Sequence, residues 1–221
     1  MKKITYGIYG ASGFGKEILP LLKQQVLSDT NIYFIDDSSA LSNINGHEVI
    51  SFEKFITLDT DEFYISVAVA NSDIRQTLSE KCISHNISLI DIKAKNIVIM
   101  DNVTLSKGSI LCPFVTLTSN INIGKSFHAN IYSYIAHDCI IGDYVTFAPS
   151  VKCNGNVIIE DHVYIGTGTI IHQGKPNKPL KIGKGATIAA GSVITKSVPA
   201  GMTVFGNPAI ELTKENLRRR K

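Results

Sequence analysis

The stretch SYIAHDCIIGD, residues 133–143, sets a histidine directly beside an aspartate, His137–Asp138, among aliphatics and a glycine. A neutral imidazole titrating near pH 7 can take a proton from an attacking nucleophile. A carboxylate on its second nitrogen fixes the tautomer and raises its basicity. Neighbours on a straight strand point to opposite faces, so these two side chains meet only if the backbone turns between them. The plain alternative is a histidine exposed at a bend. A second group lies near the start, where GASGFG supplies Gly10, Gly13 and Gly15 between a strand-like run and an amphipathic segment. Its spacing is not GxGxxG, yet glycines at a helix N-terminus let phosphates approach backbone N–H groups. Asp36 and Asp37, ending the second strand-like run, suit hydrogen bonds to a base or ribose and equally suit ordinary turn chemistry. The six histidines form no H-x-H or H-x4-H pair, so no metal site is expected, and His47, His85, His128 and His162 read as structural or solvent-facing.

Two kinds of element must position these groups. Residues 1–92 alternate strands and helices: KITYGIYG, then GKEILPLLKQQV with a proline in its first turns, NIYFIDD, FYISVAVAN, a helix SDIRQTLSEKCISHN opened by Ser72 or Asp73, and a last strand ISLIDI. That order implies a small parallel sheet with ligands at the strand C-termini. From about residue 95 the period changes to six. Every sixth residue from Ile99 through Ile135 to Ile171 is apolar, and a second, smaller set including Val103, Val115, Cys139 and Val151 follows four residues after each. Neither a helix nor simple alternation reproduces this, whereas a hexapeptide parallel β-helix does, with aliphatics stacking along its axis. The period breaks across HQGKPNKPLK, residues 172–181, and resumes at Ile182, so a loop expelled from one corner is expected there. The expected division is 1–92, 93–213 and a basic tail, 214–221.

Composition narrows the partners. The net charge of +3 is local: the tail KENLRRRK carries five positives and one negative, +4, leaving −1 on residues 1–213. No basic face with interleaved aromatics accompanies it, so nucleic acid is not expected. The tail reads as a solvated terminus, with contact to anionic lipid or phosphate as the alternative. No apolar stretch approaches the ~20 residues of a membrane span, and nothing resembles a signal peptide. The four cysteines (Cys82, Cys112, Cys139, Cys153) form no CxxC pair and fit reduced, buried thiols in a cytoplasmic protein.

Taken together, YGASGFGKE, FIDD, VAVANSDIRQ, FHANIYSYIAHDCIIGDYVTFAPSVKCNG and VPAGMTVFGNPA cover nearly the whole chain. They resemble the bacterial sugar acyltransferases that include sialic acid O-acetyltransferases and the N-acetyltransferases of nucleotide-linked 4-amino-4,6-dideoxy sugars. The resemblance implies a small Rossmann-like parallel α/β domain binding the nucleotide sugar, followed by a left-handed parallel β-helix of hexapeptide repeats. It implies an acetyl-CoA-dependent acetylation of the sugar 4-amino group by direct attack on the thioester, in surface polysaccharide (O-antigen) biosynthesis. GDP-perosamine is the favoured acceptor, with dTDP- or UDP-linked sugars as alternatives. His137 would be the general base and Asp138 its helper. Gly155 of KCNG would offer its N–H to the oxyanion, or serve only as a corner glycine. Thr146 stands where the family carries a second histidine against acetyl-CoA; Thr167 and Ala190 match further cofactor positions, and Asn130 one near the acceptor sugar. Ser12, Gly13 and Phe14 (a histidine in many relatives) would contact the nucleotide sugar, and Ala70 would line the same crevice. The family further implies a homotrimer with acetyl-CoA between subunits and no metal. Two other readings are a sugar O-acetyltransferase of sialic acid type and a non-catalytic β-helix binding module.

Overall fold

The computed structural model describes residues 2–28 and 30–219. The first half contains β1 (Ile4–Tyr9), α1 (Gly13–Lys23), β2 (Asn31–Ile35), β3 (Asn43–Ile44), β4 (His47–Ile50), α2 (Phe52–Ile56), β5 (Glu62–Val67), α3 (Ser72–Ser84) and β6 (Ser88–Leu89). The strand order is β3-β4-β2-β1-β5-β6, parallel except for the β3–β4 hairpin. Chain order moves outward from β1 in both directions, which opens a crevice at the carboxyl ends of β1 and β5. α1 buries Ile18, Leu19, Leu21 and Leu22 against this sheet.

Several local expectations shift. Because α1 starts at Gly13, Pro20 sits deep inside it rather than in its first turns. α3 is capped by Asn71, not Ser72 or Asp73: the Asn71 side chain accepts the Ile74 N–H at 3.0 Å, satisfying a donor that the first turn leaves free. β3, β4 and α2 were not expected from the sequence, although Asn45–Gly46, both at positive φ, form a recognisable hairpin turn. ISLIDI divides in two. Ser88–Leu89 stays in the first sheet, while Ile92–Lys93 already pairs with Ile110–Leu111.

The second half is a three-faced parallel β-helix. Face one runs from Ile92–Lys93 through His128–Ala129, Thr146–Phe147 and Tyr164–Ile165 to Thr203–Phe205. Face two includes Tyr134–Ile135 and Lys152–Cys153, and face three Ile140–Ile141 and Val157–Ile159. Inward residues of the six-residue pattern form one core from Leu111 to Val204. Ile99, at the open end of the column, remains 42% exposed. Ile135 pairs with Cys153, eighteen residues on, but Ile159 pairs with Ile182, twenty-three on. The five surplus residues leave the edge between faces two and three as the expected excursion, pinched by a Lys175–Lys178 bridge. All four cysteines are free and buried. A short helix, α4 (Lys214–Arg219), carries most of the basic tail; residues 220 and 221 lie outside the described residues. Among the described residues no helix is long and apolar enough to cross a membrane.

Face one is covered by the first half, and a shared core joins Ile8, Ile18 and Phe34 to Ile92 and Ile110. Arg75 of α3 bolts the two together. Fully buried, its guanidinium donates to Val69 O (2.8 Å), Ala70 O (3.0 Å), Tyr144 O (2.5 Å) and Thr146 Oγ1 (3.0 Å).

Candidate functional site

His137 and Asp138 occupy the edge between faces two and three. The backbone turns there because Asp138 takes the left-handed conformation, φ 58°, which aspartate tolerates better than most residues. The turn brings neighbours together: His137 Nδ1 lies 2.7 Å from Asp138 Oδ2. An ionised carboxylate can only accept, so the Nδ1 facing it carries a proton, and in the neutral imidazole Nε2 keeps the lone pair. Asp138 Oδ1 accepts from Asn120 Nδ2 at 3.1 Å. Hydrogen bonds from His137 and Asn120 hold the Asp138 carboxyl below the usual carboxylate range. Both side chains of the pair are about half exposed.

Gly155 lies on the next coil, directly against the imidazole. A Cβ there would stand 2.5 Å from His137 Cε1 and 2.6 Å from Nε2. The glycine therefore makes room for the ring, a packing demand beyond a tight corner. Its residue is buried, and its N–H has no acceptor among the described residues, an uncommon state for a backbone donor. The preceding residue is held firmly: Tyr134 Oη donates to Asn154 Oδ1 (2.9 Å), and Asn154 Nδ2 donates to Ile171 O (2.8 Å).

A different edge, between faces one and two, meets the first half of the chain. Phe14, Ala70, Asn130, Thr146 and Thr167 line one cavity of about 210 Å³ with Glu17, His128 and Tyr164. An adjoining hollow of about 420 Å³ shares Ala70, Thr146 and Tyr164 and reaches the N-terminus of α3. Phe14 packs on the His128 ring, centroids 5.2 Å apart. Burial, then the Arg75 charge, push His128 well below the ordinary imidazole range, so it is neutral. The Thr146 hydroxyl is occupied by Arg75. Ala190 is exposed farther along the same edge.

The residues expected to meet a nucleotide separate into two kinds. At the start of α1, Ser12 is extended and its hydroxyl makes no capping bond. Gly15 is required because a Cβ would strike the Gly10 carbonyl oxygen, whereas the space beside Gly13 is open. Asp36 and Asp37 line a cavity of about 320 Å³ with Tyr9, Gly10 and Val69. Both already have partners. Asp36 Oδ1 accepts from Ser38 N–H (3.0 Å), ordinary turn chemistry. Asp37 accepts from the Tyr9 hydroxyl and from Phe52 N–H (2.8 Å) at the start of α2. Burial alone would raise the Asp37 carboxyl, but these donors and Lys81 bring it below its usual range.

Sequence reasoning passed over Arg75. Its signal was position: Arg75, Ser79 and Cys82 form the buried stripe of α3, and a cation on such a stripe marks an interface. The structure brings Phe14, Ala70, Asn130, Thr146 and Thr167 together. It places His137, Asp138 and Gly155 together on another edge of the same prism.

Comparison with known proteins agrees with this architecture. Residues 7–82 match the family model described as the PglD N-terminal domain. The chain is 52% identical over 213 residues to GDP-perosamine N-acetyltransferase of Escherichia coli O157:H7, covering 95% of this chain and 96% of that one. The solved structure of WeeI from Acinetobacter baumannii AYE superposes with a TM-score of 0.93 at 55% identity, covering 95% of this chain and all of that one. The acetyltransferase domain of PglB from Neisseria gonorrhoeae FA1090, solved with acetyl coenzyme A, gives 0.83 at 26% identity, covering 96% of this chain and all of that one. With an α/β half, a hexapeptide β-helix and this near full-length identity, the chain belongs to the GDP-perosamine N-acetyltransferase family and is an acetyltransferase.

Proposed function

We propose that the protein transfers the acetyl group of acetyl-CoA to the 4-amino group of a nucleotide-linked 4-amino-4,6-dideoxyhexose, GDP-perosamine in the first instance. The observation that carries this reading is the junction of His137, Asp138 and Gly155: an imidazole whose Nδ1 faces a carboxylate, packed against a buried glycine whose N–H has no acceptor among the described residues. The amine nitrogen attacks the thioester carbonyl, forming the C–N bond, while Nε2 takes the amine proton. Charge gathers on the carbonyl oxygen, where the Gly155 N–H is suited to meet it. The C–S bond then breaks and CoA leaves as the thiol, taking back that proton.

Residues 1–92 would hold the nucleotide, with Ser12, Gly13 and Phe14 at the phosphates and sugar and Asp36, Asp37 and Ala70 along the crevice. Residues 93–213 would carry the acyl chemistry. Because Asn130, Thr146, Thr167 and Ala190 lie on a different edge from His137, a complete site needs an edge of one copy facing the other edge of a neighbour. That favours a homotrimer with shared sites. Acetyl-CoA itself finds a suitable run of surface. Above Gly155, the His137 edge leads to a cavity of about 620 Å³ lined by Lys175, Lys178 and Lys196, none with a carboxylate partner among the described residues. Three coils at about 4.8 Å each give roughly 14 Å between His137 and Lys196. The pantetheine arm matches about four extended residues, roughly 14 Å, so the CoA phosphates would meet the lysines. On this reading the reaction is a cytoplasmic one and its product feeds O-antigen assembly.

Incubating the protein with acetyl-CoA and a panel of GDP-, dTDP- and UDP-linked 4-amino sugars, while following thiol release, tests the reading. Turnover confined to GDP-perosamine supports it. Turnover only with sugar hydroxyls, or with none of the panel, overturns it.

A further inference from the structure

One polar ladder beneath His137 remains. The same edge of the prism carries Asn102, Asn120 and Asp138 one coil apart, each in the left-handed conformation (φ 59°, 58° and 58°). Their side chains are bonded in series. Asn102 Nδ2 donates to Asn120 Oδ1 at 3.2 Å, Asn120 Nδ2 donates to Asp138 Oδ1 at 3.1 Å, and Asp138 Oδ2 faces His137 Nδ1 at 2.7 Å. A left-handed corner needs only a residue that tolerates positive φ, and Gly, Asn or Asp each does so. The direction of the ladder is a separate matter. An ionised Asp138 offers only acceptors, so Asn120 must turn its amide NH₂ upward and its carbonyl downward. Asn102 must then present its own NH₂ to that carbonyl. The chain of amides has one polarity, and it ends on the base.

We propose that Asn120 is a positioning residue for the reaction, holding the Asp138 carboxylate so that Oδ2 stays on His137 Nδ1, with Asn102 fixing the orientation of Asn120. This rests on His137 being the base. With Oδ1 tied to Asn120, the half-exposed carboxylate has one rotation that serves the imidazole. Untied, it can turn to water, and the imidazole can exchange tautomers. The other groups around the ring give no substitute. Above it lie Gly155 and Asn154, the latter bonded to the Tyr134 phenol. Inside the column the Cys139 thiol lies 3.3 Å from the Asn154 carbonyl oxygen and 3.6 Å from that of His137, next to the buried Cys153. No lysine, arginine or second carboxylate is paired with either member among the described residues.

Two variants test this. Asn120→Gly removes the amide while suiting positive φ, so the corner survives. Its kcat should fall about tenfold, the scale of one hydrogen bond to a charged group, with KM for both substrates within twofold and an unchanged unfolding midpoint. Nitrogen NMR of the His137 ring should change from the Nδ1–H tautomer to a mixture. Asn120→Asp, close in shape and equally at ease at positive φ, adds a second negative charge near the imidazole. The ascending limb of its pH–rate profile should move upward by about half a unit or more. Asn120→Gly with wild-type kcat and tautomer overturns the proposal. So does a kcat loss in which tautomer and pH profile both stay as in wild type, because that is a corner defect. His137→Ala is run alongside. If it retains wild-type activity, the base assignment itself fails; if it is inactive while both Asn120 variants behave as wild type, only the role of Asn120 fails.

Discussion

Gly155→Ala isolates the placement of His137, the proposed base, from every other feature of the site. The backbone at Gly155 is outside the left-handed region, so alanine adds no conformational strain. The N–H survives as well. What changes is one methyl group placed 2.5 Å from His137 Cε1 and 2.6 Å from Nε2. Carbon atoms pack at about 3.5 Å or more, so the ring must retreat by about 1 Å. A displacement of that size at a reacting group costs on the order of 10²-fold in rate, equivalent to about 2.7 kcal/mol of barrier. Folding should barely notice, because the ring is half exposed and can swing outward. We expect a thermal midpoint within about 4 °C of wild type, the shift that about 1 kcal/mol produces in a chain of this size. Steady-state kinetics by thiol release, with calorimetry on the same samples, gives both readings. A folded Gly155→Ala protein with kcat within twofold of wild type would refute the placement of the imidazole against this glycine as the working geometry.

Other outcomes follow from the same structure. Arg75→Met should leave the buried Tyr144 carbonyl oxygen without its donor and remove the bonds to Val69 O and Ala70 O, at about 1–3 kcal/mol for the one unsatisfied buried group; denaturant unfolding and limited proteolysis between the halves would register the loss. The joint change Lys175→Gln, Lys178→Gln should raise KM for acetyl-CoA about tenfold, the scale of one charge-assisted contact, yet leave KM for S-acetylpantetheine, which lacks the nucleotide phosphates, unchanged. Asp138 titrates below the ordinary carboxylate value because His137 and Asn120 donate to it. Its stabilising contact is therefore present above about pH 4 and fades as pH falls through the folded value; thermal midpoints of wild type and Asp138→Asn should differ at pH 7 and converge in acid.

The β-helix was legible because its core is a repeat. Ile135, Ile141 and Phe147 each fill the same kind of position, so a six-residue period alone predicts burial. Location of His137 at an edge followed from its distance to Ile135. Its contact with Asp138 could not be read, since that depends on a single φ angle. The hairpin at Asn45–Gly46 carried its turn signal plainly, but its strands are only two and four residues long, too short for alternation to show. Asp37 illustrates the other limit. Its place at a strand end suited ligand binding and turn chemistry alike, and nothing local announced that Tyr9 and Phe52 donate to it, partners fixed by tertiary packing. Thr146 likewise meets Arg75 across 71 residues, a pairing that no local pattern announces.

The reach of Arg75 also governs the order in which the protein can be made. Its backbone acceptors at Tyr144 and its hydroxyl acceptor at Thr146 are 69 and 71 residues downstream. At a synthesis rate of about 5–20 residues per second, the α3 cation emerges roughly 4–14 s before those partners exist. Through that interval the guanidinium must stay hydrated and the face of α3 around Arg75 lacks its β-helix partner, although Cys82 already packs with Phe52, Phe55 and Ile65 of the first half. The nascent α/β half is thus an open template, completed only when the fourth coil is laid beside it. Ribosome-bound chains stopped short of residue 146 should expose this face, and a holding chaperone would find it there.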